Sequence, residues 1–306
     1  MIVELRNTSR WYGEVIGLND VSATIEPGIT ALLGQNGAGK STFMRLVTGQ
    51  LRPTAGSVEV FGEEPFANVD VYRRLGYCPE IDNFYEHWSG RKFVNHMARL
   101  SGMNATQAKT RTREVLTEVG MLDRCDRPIG GYSKGMRQRI KLAQAMVHNP
   151  DIILLDEPLN GLDPVGRREF MGMLESLANQ GKAIVVSSHI LYEVEQLTRN
   201  ILLLHRGRLL ATGDIRTIRR FIDKHPHRIR IETDNPRALG ALILTMSEVV
   251  SMDFPPGTNY IDLKIKSPEG FYSQLPKVIR ENGIPIYSFS SPDNNLESLF
   301  QYLVTE

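Results

Sequence analysis

Cysteine is scarce in this sequence: Cys78 and Cys125 are the only two among 306 residues, and their spacing follows no disulfide or metal-ligand pattern. A disulfide framework and a zinc site are therefore excluded, and both thiols are predicted to be buried or incidental. Long apolar runs are also missing. The longest, residues 152–155 and 201–204, are far shorter than the roughly 18 residues that cross a bilayer. Neither sign of charge prevails, since 36 Lys and Arg stand against 35 Asp and Glu, which excludes a polybasic nucleic-acid binder.

The length of 306 residues predicts roughly two domains. With 41% hydrophobic and 23% charged residues, the composition is that of a globular chain and excludes a disordered or collagen-like protein. The first residues, MIVELR, alternate in polarity as a strand does and contain no basic region followed by an apolar stretch. We therefore expect a cytoplasmic protein that does not cross the membrane by itself.

Strand-like and helical segments alternate through the first two thirds of the sequence, a pattern typical of a parallel sheet covered by helices. The predicted strands include residues 29–33, 151–155 and 183–187. The stretch from about 84 to 145 is predicted to be mostly helical, with helices over residues 91–101, 105–119 and 134–148. We therefore predict an α/β domain over residues 1–215 with a helical insertion at about 84–145.

The predicted helical insertion is locally basic, with 12 Lys and Arg residues against five acidic ones. Such an excess fits a surface that faces an anionic membrane leaflet, and it equally fits a solvated helical face. The sequence leaves both interpretations open.

Near residues 214–224, Asp214 is expected to cap a short linking helix, and the pattern changes after the predicted linker at residues 216–226. Residues 227–306 are predicted to fold as β-α-β-β-α-β, the order of a ferredoxin-like unit. The predicted elements are strand 228–232, helix 236–248, strands 249–254 and 260–266, helix 268–282, strand 284–289 and a terminal helix at 296–304. A small α+β C-terminal domain of this kind implies no function by itself.

The most specific motif is the segment GQNGAGKST at residues 34–42, which fits G-x-x-x-x-G-K-[ST] between a predicted strand and a predicted helix. Glycines let the backbone wrap around phosphates, and the N-terminus of the helix attracts them. Lys40 is predicted to reach the β- and γ-phosphates, and Ser41 to place its hydroxyl on Mg²⁺. The predicted nucleotide-binding residues here are Gly34, Asn36, Gly37, Ala38, Gly39, Lys40, Ser41 and Thr42.

Two adjacent carboxylates, Asp156 and Glu157, follow the apolar strand IILL. Asp156 is predicted to hold Mg²⁺ together with Ser41, and Glu157 to polarise the attacking water. Because a kinase has little use for the second carboxylate, the pair favours an ATPase.

The order of these motifs resembles the nucleotide-binding domain of the ABC ATPases over about residues 1–215, a P-loop NTPase fold. The segment YSKGMRQ at 132–138 is similar to the LSGGQ signature of that family, with Ser133 and Gly135 at the phosphate-contacting positions. In the family, the signature faces the γ-phosphate bound by a second subunit. The resemblance therefore implies a homodimer that holds ATP between the phosphate loop of one chain and the signature of the other.

Three further positions match the family pattern. Asp163 belongs to LNGLD, which is similar to the D-loop, and His189 follows a predicted strand, as the switch histidine does. Tyr12 corresponds to the aromatic residue that stacks on adenine. The resemblance implies catalytic roles for Glu157, His189 and Lys40, with ATP and Mg²⁺ as cofactors.

The sequence departs from the family pattern at two sites. Glu80 stands where the family usually has a glutamine, and we expect its carboxylate to be a further Mg²⁺ ligand. In the signature, Tyr132, Lys134 and Met136 replace Leu, Gly and Gln. Since Ser133 and Gly135 remain, hydrolysis is expected to be retained.

The SKGMRQR signature, Glu80 and the C-terminal unit together resemble ATPases of ABC-2 exporters. The resemblance implies an ATPase that drives a separate multi-span permease, in the export direction, from the inner face of the cell membrane. Two alternatives stay open: a non-transport ABC ATPase acting on ribosomes or nucleic acid, and an importer ATPase with a regulatory tail. The first usually carries two ATPase domains in one chain or long coiled coils, and this sequence shows neither, so no nucleic-acid partner is expected. The second would have a β-rich tail in place of the predicted β-α-β-β-α-β unit.

Overall fold

The structure is a computed structural model that describes residues 1–214, 227–266 and 268–291. The chain divides into two compact units, Met1–Gly213 and Asp214–Glu306, called here the N-terminal and C-terminal units. The predicted linker and its helix, apart from Asp214, and the predicted terminal helix at 296–304 lie outside the described residues. Within the described ranges, no helix combines the length and apolar character that crossing a membrane requires.

The N-terminal unit is built from strands and helices that alternate along most of its length. Its strands are β1 (Val3–Tyr12), β2 (Val15–Ile25), β3 (Gly28–Leu33), β4 (Ala55–Val60), β5 (Leu75–Cys78), β6 (Ile152–Leu155), β7 (Ala183–Ser188), β8 (Asn200–His205) and β9 (Arg208–Asp214). Its helices are α1 (Lys40–Val47), α2 (Val69–Arg73), α3 (Gly90–Leu100), α4 (Ala105–Glu118), α5 (Lys134–Met146), α6 (Pro164–Asn179) and α7 (Leu191–Leu197).

A six-stranded sheet with the order β5-β6-β7-β3-β8-β9 forms the centre of this unit. Strand β6 pairs in parallel with β5 and β7, and β3 pairs in parallel with β7 and β8. Alternate residues of β6 enter two different hydrophobic cores: Ile153 and Leu155 one, Ile152 and Leu154 the other. Both faces of the strand are thus covered, which explains its unbroken apolar sequence. The three predicted strands are confirmed, with ends shifted by at most one residue.

A second, antiparallel sheet with the order β2-β1-β4 was not predicted as a separate layer. The pairing of β1 with β2 shifts register after Leu5, after Thr8 and again after Arg10. Each irregularity interrupts the alternation of buried and exposed residues that identifies a strand in a sequence.

The predicted helical insertion is confirmed as α3, α4 and α5. Each of these helices begins at a polar cap, whose side-chain oxygen accepts a backbone N–H of the first turn: Ser89 for α3, Asn104 for α4 and Ser133 for α5. The predicted ends of the helices were one or two residues too late. Both cysteines are buried and free, as predicted, and burial raises the pKa of the Cys78 thiol to about 12.

The C-terminal unit has the predicted element order β-α-β-β-α-β over its described residues: β10 (His227–Glu232), α8 (Pro236–Ile243), β11 (Val249–Asp253), β12 (Tyr260–Ile265), α9 (Pro268–Asn282) and β13 (Ser288–Ser290). Its antiparallel sheet has the order β11-β12-β10-β13. That this unit has a ferredoxin-like fold stays a prediction.

Two predicted elements of the C-terminal unit were too long. Helix α8 ends at Ile243 rather than 248, because the chain turns there and buries Met246. The last strand begins at Ser288 rather than 284, since Pro285 has no N–H to donate to a neighbouring strand.

Replacing Phe271 by alanine is expected to lower the stability of the C-terminal unit by about 3–5 kcal/mol, because the ring is fully buried in the core of that unit. Since the two units have separate cores, we expect ATP binding by the N-terminal unit to be unchanged. Limited proteolysis and nucleotide titration of the variant measure the two effects. Loss of ATP binding together with the stability of the C-terminal unit would contradict independent folding of the two units.

Candidate functional site

The phosphate loop connects β3 to α1 and is shaped by its glycines. Gly37 and Gly39 have φ values of 81° and 107°, and a Cβ on Gly39 would lie 2.6 Å from the carbonyl oxygen of Gly17. Both the conformation and the space therefore require glycine at 39. No side chain caps the N-terminus of α1, so its first N–H groups form a site for an anion.

Lys40 is buried at the start of α1 with its ammonium group inside the loop. Its Nζ donates to the carbonyl oxygen of Gly34 at 2.7 Å and lies 3.2 Å from Oε1 of Glu157. The structure thus brings together the predicted lysine and the predicted base, although they are far apart in the sequence.

Asp156 is buried at the end of β6, and two hydroxyl groups hold its carboxylate. Ser41 Oγ donates to Oδ2 at 3.2 Å, and Ser187 Oγ donates to Oδ1 at 2.6 Å. A hydroxyl next to a carboxylate is the hard-oxygen ligand set that suits Mg²⁺ in a nucleotide site. Within the described ranges no cluster of three His, Cys, Asp or Glu residues could hold a metal. The pair therefore fits Mg²⁺ that takes its remaining ligands from phosphate and water.

Glu157 is held in a fixed orientation by its backbone conformation and by its neighbours. It has a φ of 48°, in the left-handed region that side chains other than glycine rarely adopt, at a cost of about 1–3 kcal/mol. Its N–H donates to Ser187 Oγ at 2.8 Å, and its Oε2 lies 3.0 Å from His189 Nδ1. Its Oε1 is buried and ion-paired with Lys40 Nζ at 3.2 Å, so both carboxylate oxygens of Glu157 have a partner.

Sequence reasoning missed Ser187, which contacts the carboxylate of Asp156 and the backbone of Glu157. Its hydroxyl donates to Asp156 and accepts from the N–H of Glu157. The only signal in the sequence was a serine at the end of an apolar strand.

An ion pair between the half-buried Arg167 and the buried Glu193 was also missed. Arg167 Nη1 lies 3.2 Å from Glu193 Oε1, and Ser188 Oγ donates to Glu193 Oε2 at 3.3 Å. Arg167 also donates to the carbonyl oxygen of Leu162, next to Asp163. This pair links the segment that carries His189 to the segment that carries Asp163.

Tyr12 lies beside the far end of the phosphate loop. Its hydroxyl is 3.4 Å from Thr42 Oγ1, and its ring covers Gly17, where an added Cβ would lie 2.7 Å from the ring. The exposed ring is therefore placed next to the loop, as stacking on adenine requires.

Ser133, Gly135 and Asp163 lie together, but not with the phosphate loop. They line one groove of about 920 Å³, to which the loop contributes no residue. Ser133 caps α5, and Asp163 caps α6 by accepting from the N–H of Gly166 at 3.0 Å. The predicted site residues of one chain thus form two separate groups.

Glu80 follows β5 and is exposed. Its backbone oxygen accepts from Lys141 Nζ at 2.9 Å. Its predicted role as a Mg²⁺ ligand stays a prediction.

Comparisons with known proteins agree with this geometry. A sequence model of the ABC transporter family matches residues 18–160. The bacitracin transport ATP-binding protein BcrA of Bacillus licheniformis is 31% identical over 306 residues, covering 99% of this chain and 97% of its own. The ABC transporter ATP-binding protein NatA of Bacillus subtilis is 35% identical, covering 67% of this chain and 84% of its own.

Solved structures show the same fold. The ATP-binding subunit of an ABC transporter matches with a TM-score of 0.65 and 28% identity, covering 72% of this chain and 93% of that one. An ATP-binding cassette in a dimeric, post-hydrolysis state with ADP and Pi matches with a TM-score of 0.63 and 24% identity. It covers 70% of this chain and 99% of that one.

Proposed function

Since this chain belongs to the ABC transporter family of ATP-binding proteins, we propose that it is the ATP-hydrolysing subunit of an exporter whose membrane segments lie on a separate chain. The observation that carries the proposal is the arrangement of Lys40, Glu157 and His189 beside Ser41 and Asp156. It unites a phosphate-binding cation, a general base and a Mg²⁺ site in one place.

Each group has a distinct part in hydrolysis. Lys40 and the N–H groups of the loop bind the β- and γ-phosphates. Ser41 and Asp156 would hold Mg²⁺, which would neutralise charge on the phosphates. Glu157 accepts a proton from the attacking water through its carboxylate. His189 orients Glu157 through the contact of its Nδ1 with Oε2, and its other ring nitrogen is proposed to contact the γ-phosphate.

A homodimer completes the site. Ser133, Gly135 and Asp163 form a second half-site in each chain, and the N-terminus of α5 attracts an anion. We propose that this half-site contacts the γ-phosphate bound by the other copy. ATP would then favour the closed dimer, and hydrolysis of ATP would let the dimer open.

The membrane partner is proposed to dock near Glu80, on the side of the helical insertion. Ile81 and Tyr85 are exposed there, and Tyr85 lies 4.6 Å from Trp88, centroid to centroid. An exposed apolar and aromatic surface of this kind suits a helix of another protein. Docking would place the chain on the inner face of the cell membrane.

The names of two relatives support a transport role. One is the bacitracin transport protein BcrA, and the other is the Nod factor export ATP-binding protein I of Burkholderia lata, 33% identical over 69% of this chain.

The basic excess of the helical insertion favours a solvated face over a lipid-binding one. Arg91, Arg111, Arg137 and Arg139 form ion pairs with carboxylates, and Lys141 is buried. Charges that are already paired add little attraction to anionic lipid.

Capture of the membrane partner tests the proposal. A tagged Glu157→Gln chain, which should hold ATP without hydrolysing it, is purified with ATP and Mg²⁺ from detergent-solubilised membranes of its source cells. Mass spectrometry is expected to find a stoichiometric multi-span protein. Recovery of ribosomes, nucleic acid or the chain alone would contradict the exporter assignment.

Replacing Glu80 by glutamine is expected to change partner-stimulated ATP turnover, because Glu80 is proposed to sense the nucleotide and report to the partner. The amide keeps an oxygen ligand for Mg²⁺ but removes a charge near the γ-phosphate. ATPase assays with and without the membrane partner measure the effect. Unchanged rates in both assays would show that Glu80 does not couple the nucleotide site to the partner.

For the C-terminal unit we propose a domain at residues 227–306, after a linker at 216–226, that supports dimerisation or partner docking. Deletion of residues 227–306 tests this role. Dimerisation or partner binding should weaken in the shortened chain. Unchanged dimerisation, partner binding and turnover would refute the role.

A further inference from the structure

Arg137, one turn into α5, binds two carboxylates of the segment 80–86. Its Nε donates to Asp82 Oδ2 at 2.7 Å, and its two terminal nitrogens donate to the two oxygens of Glu86 at 2.9 and 2.7 Å. This bidentate, charge-assisted geometry is the strongest that an ion pair adopts. It holds the pKa values of Asp82 and Glu86 below their ordinary values.

Lys141 holds the other end of the same segment. It lies one turn after Arg137 on α5, is buried, and donates from Nζ to the backbone oxygen of Glu80 at 2.9 Å. A buried ammonium is costly unless it is hydrogen-bonded, so this contact fixes both partners. Between these contacts, the guanidinium of Arg137 lies 5.1 Å from the ring centroid of Phe84.

The segment 80–86 contains no helix or strand. No ladder of backbone hydrogen bonds therefore fixes its place. Besides the single bonds that Trp88 and Gly130 donate to the backbone oxygens of Tyr85 and Glu86, side chains from α5 hold the segment. The same helix begins at Ser133, which belongs to the proposed second half-site.

We propose that Arg137 and Lys141 are positioning residues that hold segment 80–86 and the start of α5 as one rigid body. A displacement of Glu80, at one end of that body, then moves Ser133 and Gly135, at the other. The inference rests on the proposed function, because it takes Glu80 and Ser133 as residues that respond to nucleotide. It adds the physical link between them.

Hydrogen exchange of the full chain tests the link, with Glu157→Gln as the parent and ATP with Mg²⁺ as the probe. Exchange of segment 80–86 is followed at the amides of Trp88 and Gly130, which donate to the backbone oxygens of Tyr85 and Glu86. In the parent, ATP is expected to change exchange at both this segment and the start of α5. In Arg137→Gln, exchange of segment 80–86 without nucleotide should rise about tenfold, the effect of losing charge-assisted hydrogen bonds. The change in exchange of segment 80–86 on adding ATP should no longer follow the change at the start of α5.

Arg139→Gln is the matched control. It removes the same charge from the same helix, but Arg139 pairs with Glu169 of α6. We expect it to leave segment 80–86 unchanged. Glu86→Gln, which leaves Arg137 paired with Asp82, is a milder variant, and its effect should not add to that of Arg137→Gln.

The outcomes separate this inference from the proposed function. Failure of the parent to bind ATP would contradict the proposed function, whereas the tenfold rise in Arg137→Gln without nucleotide tests the contact alone. Parent-like exchange of segment 80–86 in Arg137→Gln, or fully additive effects with Glu86→Gln, would overturn the inference.

Discussion

Replacing Glu157 by glutamine is expected to lower the rate of ATP hydrolysis by about 10²- to 10⁴-fold, the usual contribution of a general base. The amide keeps the size of the side chain and can still contact His189, but it cannot accept the proton of the attacking water. Since the phosphate loop and Lys40 are untouched, ATP should still bind. Phosphate release under steady-state conditions measures the rate, and a fluorescent ATP analogue measures binding.

Glu281→Gln is the matched control, because it makes the same chemical change at an exposed position on α9 in the C-terminal unit. Its rate of hydrolysis should equal that of the unchanged chain. A Glu157→Gln chain that hydrolyses ATP at more than a tenth of the normal rate would exclude Glu157 as the base.

Replacing Lys40 by methionine is expected to weaken ATP binding by about 10- to 100-fold, which corresponds to the loss of a charge-assisted hydrogen bond. Methionine fits the buried space of the lysine stem but carries no charge to the phosphates. ATP titration of the variant measures the affinity. Lys109→Met, on the exposed side of α4, is the control for the loss of one positive charge.

The loss should be larger for ATP than for adenosine, because Lys40 is proposed to contact the β- and γ-phosphates and not the base. Equal loss for both ligands would mean that the substitution disturbs the fold of the loop. An unchanged ATP affinity would rule out phosphate binding by Lys40.

The parts of the site that the sequence predicts are those with a local signature. Lys40 follows a glycine loop, and Asp156 and Glu157 end an apolar strand, so each is recognisable within about ten residues. Because parallel strands place their carboxyl ends at one edge of a sheet, these signatures also imply that the groups meet there. The observed ion pair of Lys40 with Glu157 follows from that rule.

The parts that the sequence does not predict are set by contacts between distant segments. Ser187 matters because β7 lies next to β6, and the pairing of Arg167 with Glu193 depends on how two helices pack. Neither serine in a strand nor arginine in a helix has a local pattern that reveals such a partner. The antiparallel layer of β1, β2 and β4 was missed for a related reason, since irregular pairing removed its alternation.

The place of β7 in the sheet has a consequence for biosynthesis. Strand β7 pairs with both β3 and β6, yet it is made after both of them. A nascent chain that has reached residue 160 contains the whole phosphate loop and both carboxylates but lacks the strand that sets their separation. Since a chain is made from its N-terminus, the ribosome therefore releases an ATP-binding surface only after residues 183–189 have emerged. Shorter products of interrupted translation would carry the phosphate loop and both carboxylates, and we expect them to bind nucleotide more weakly than the finished chain.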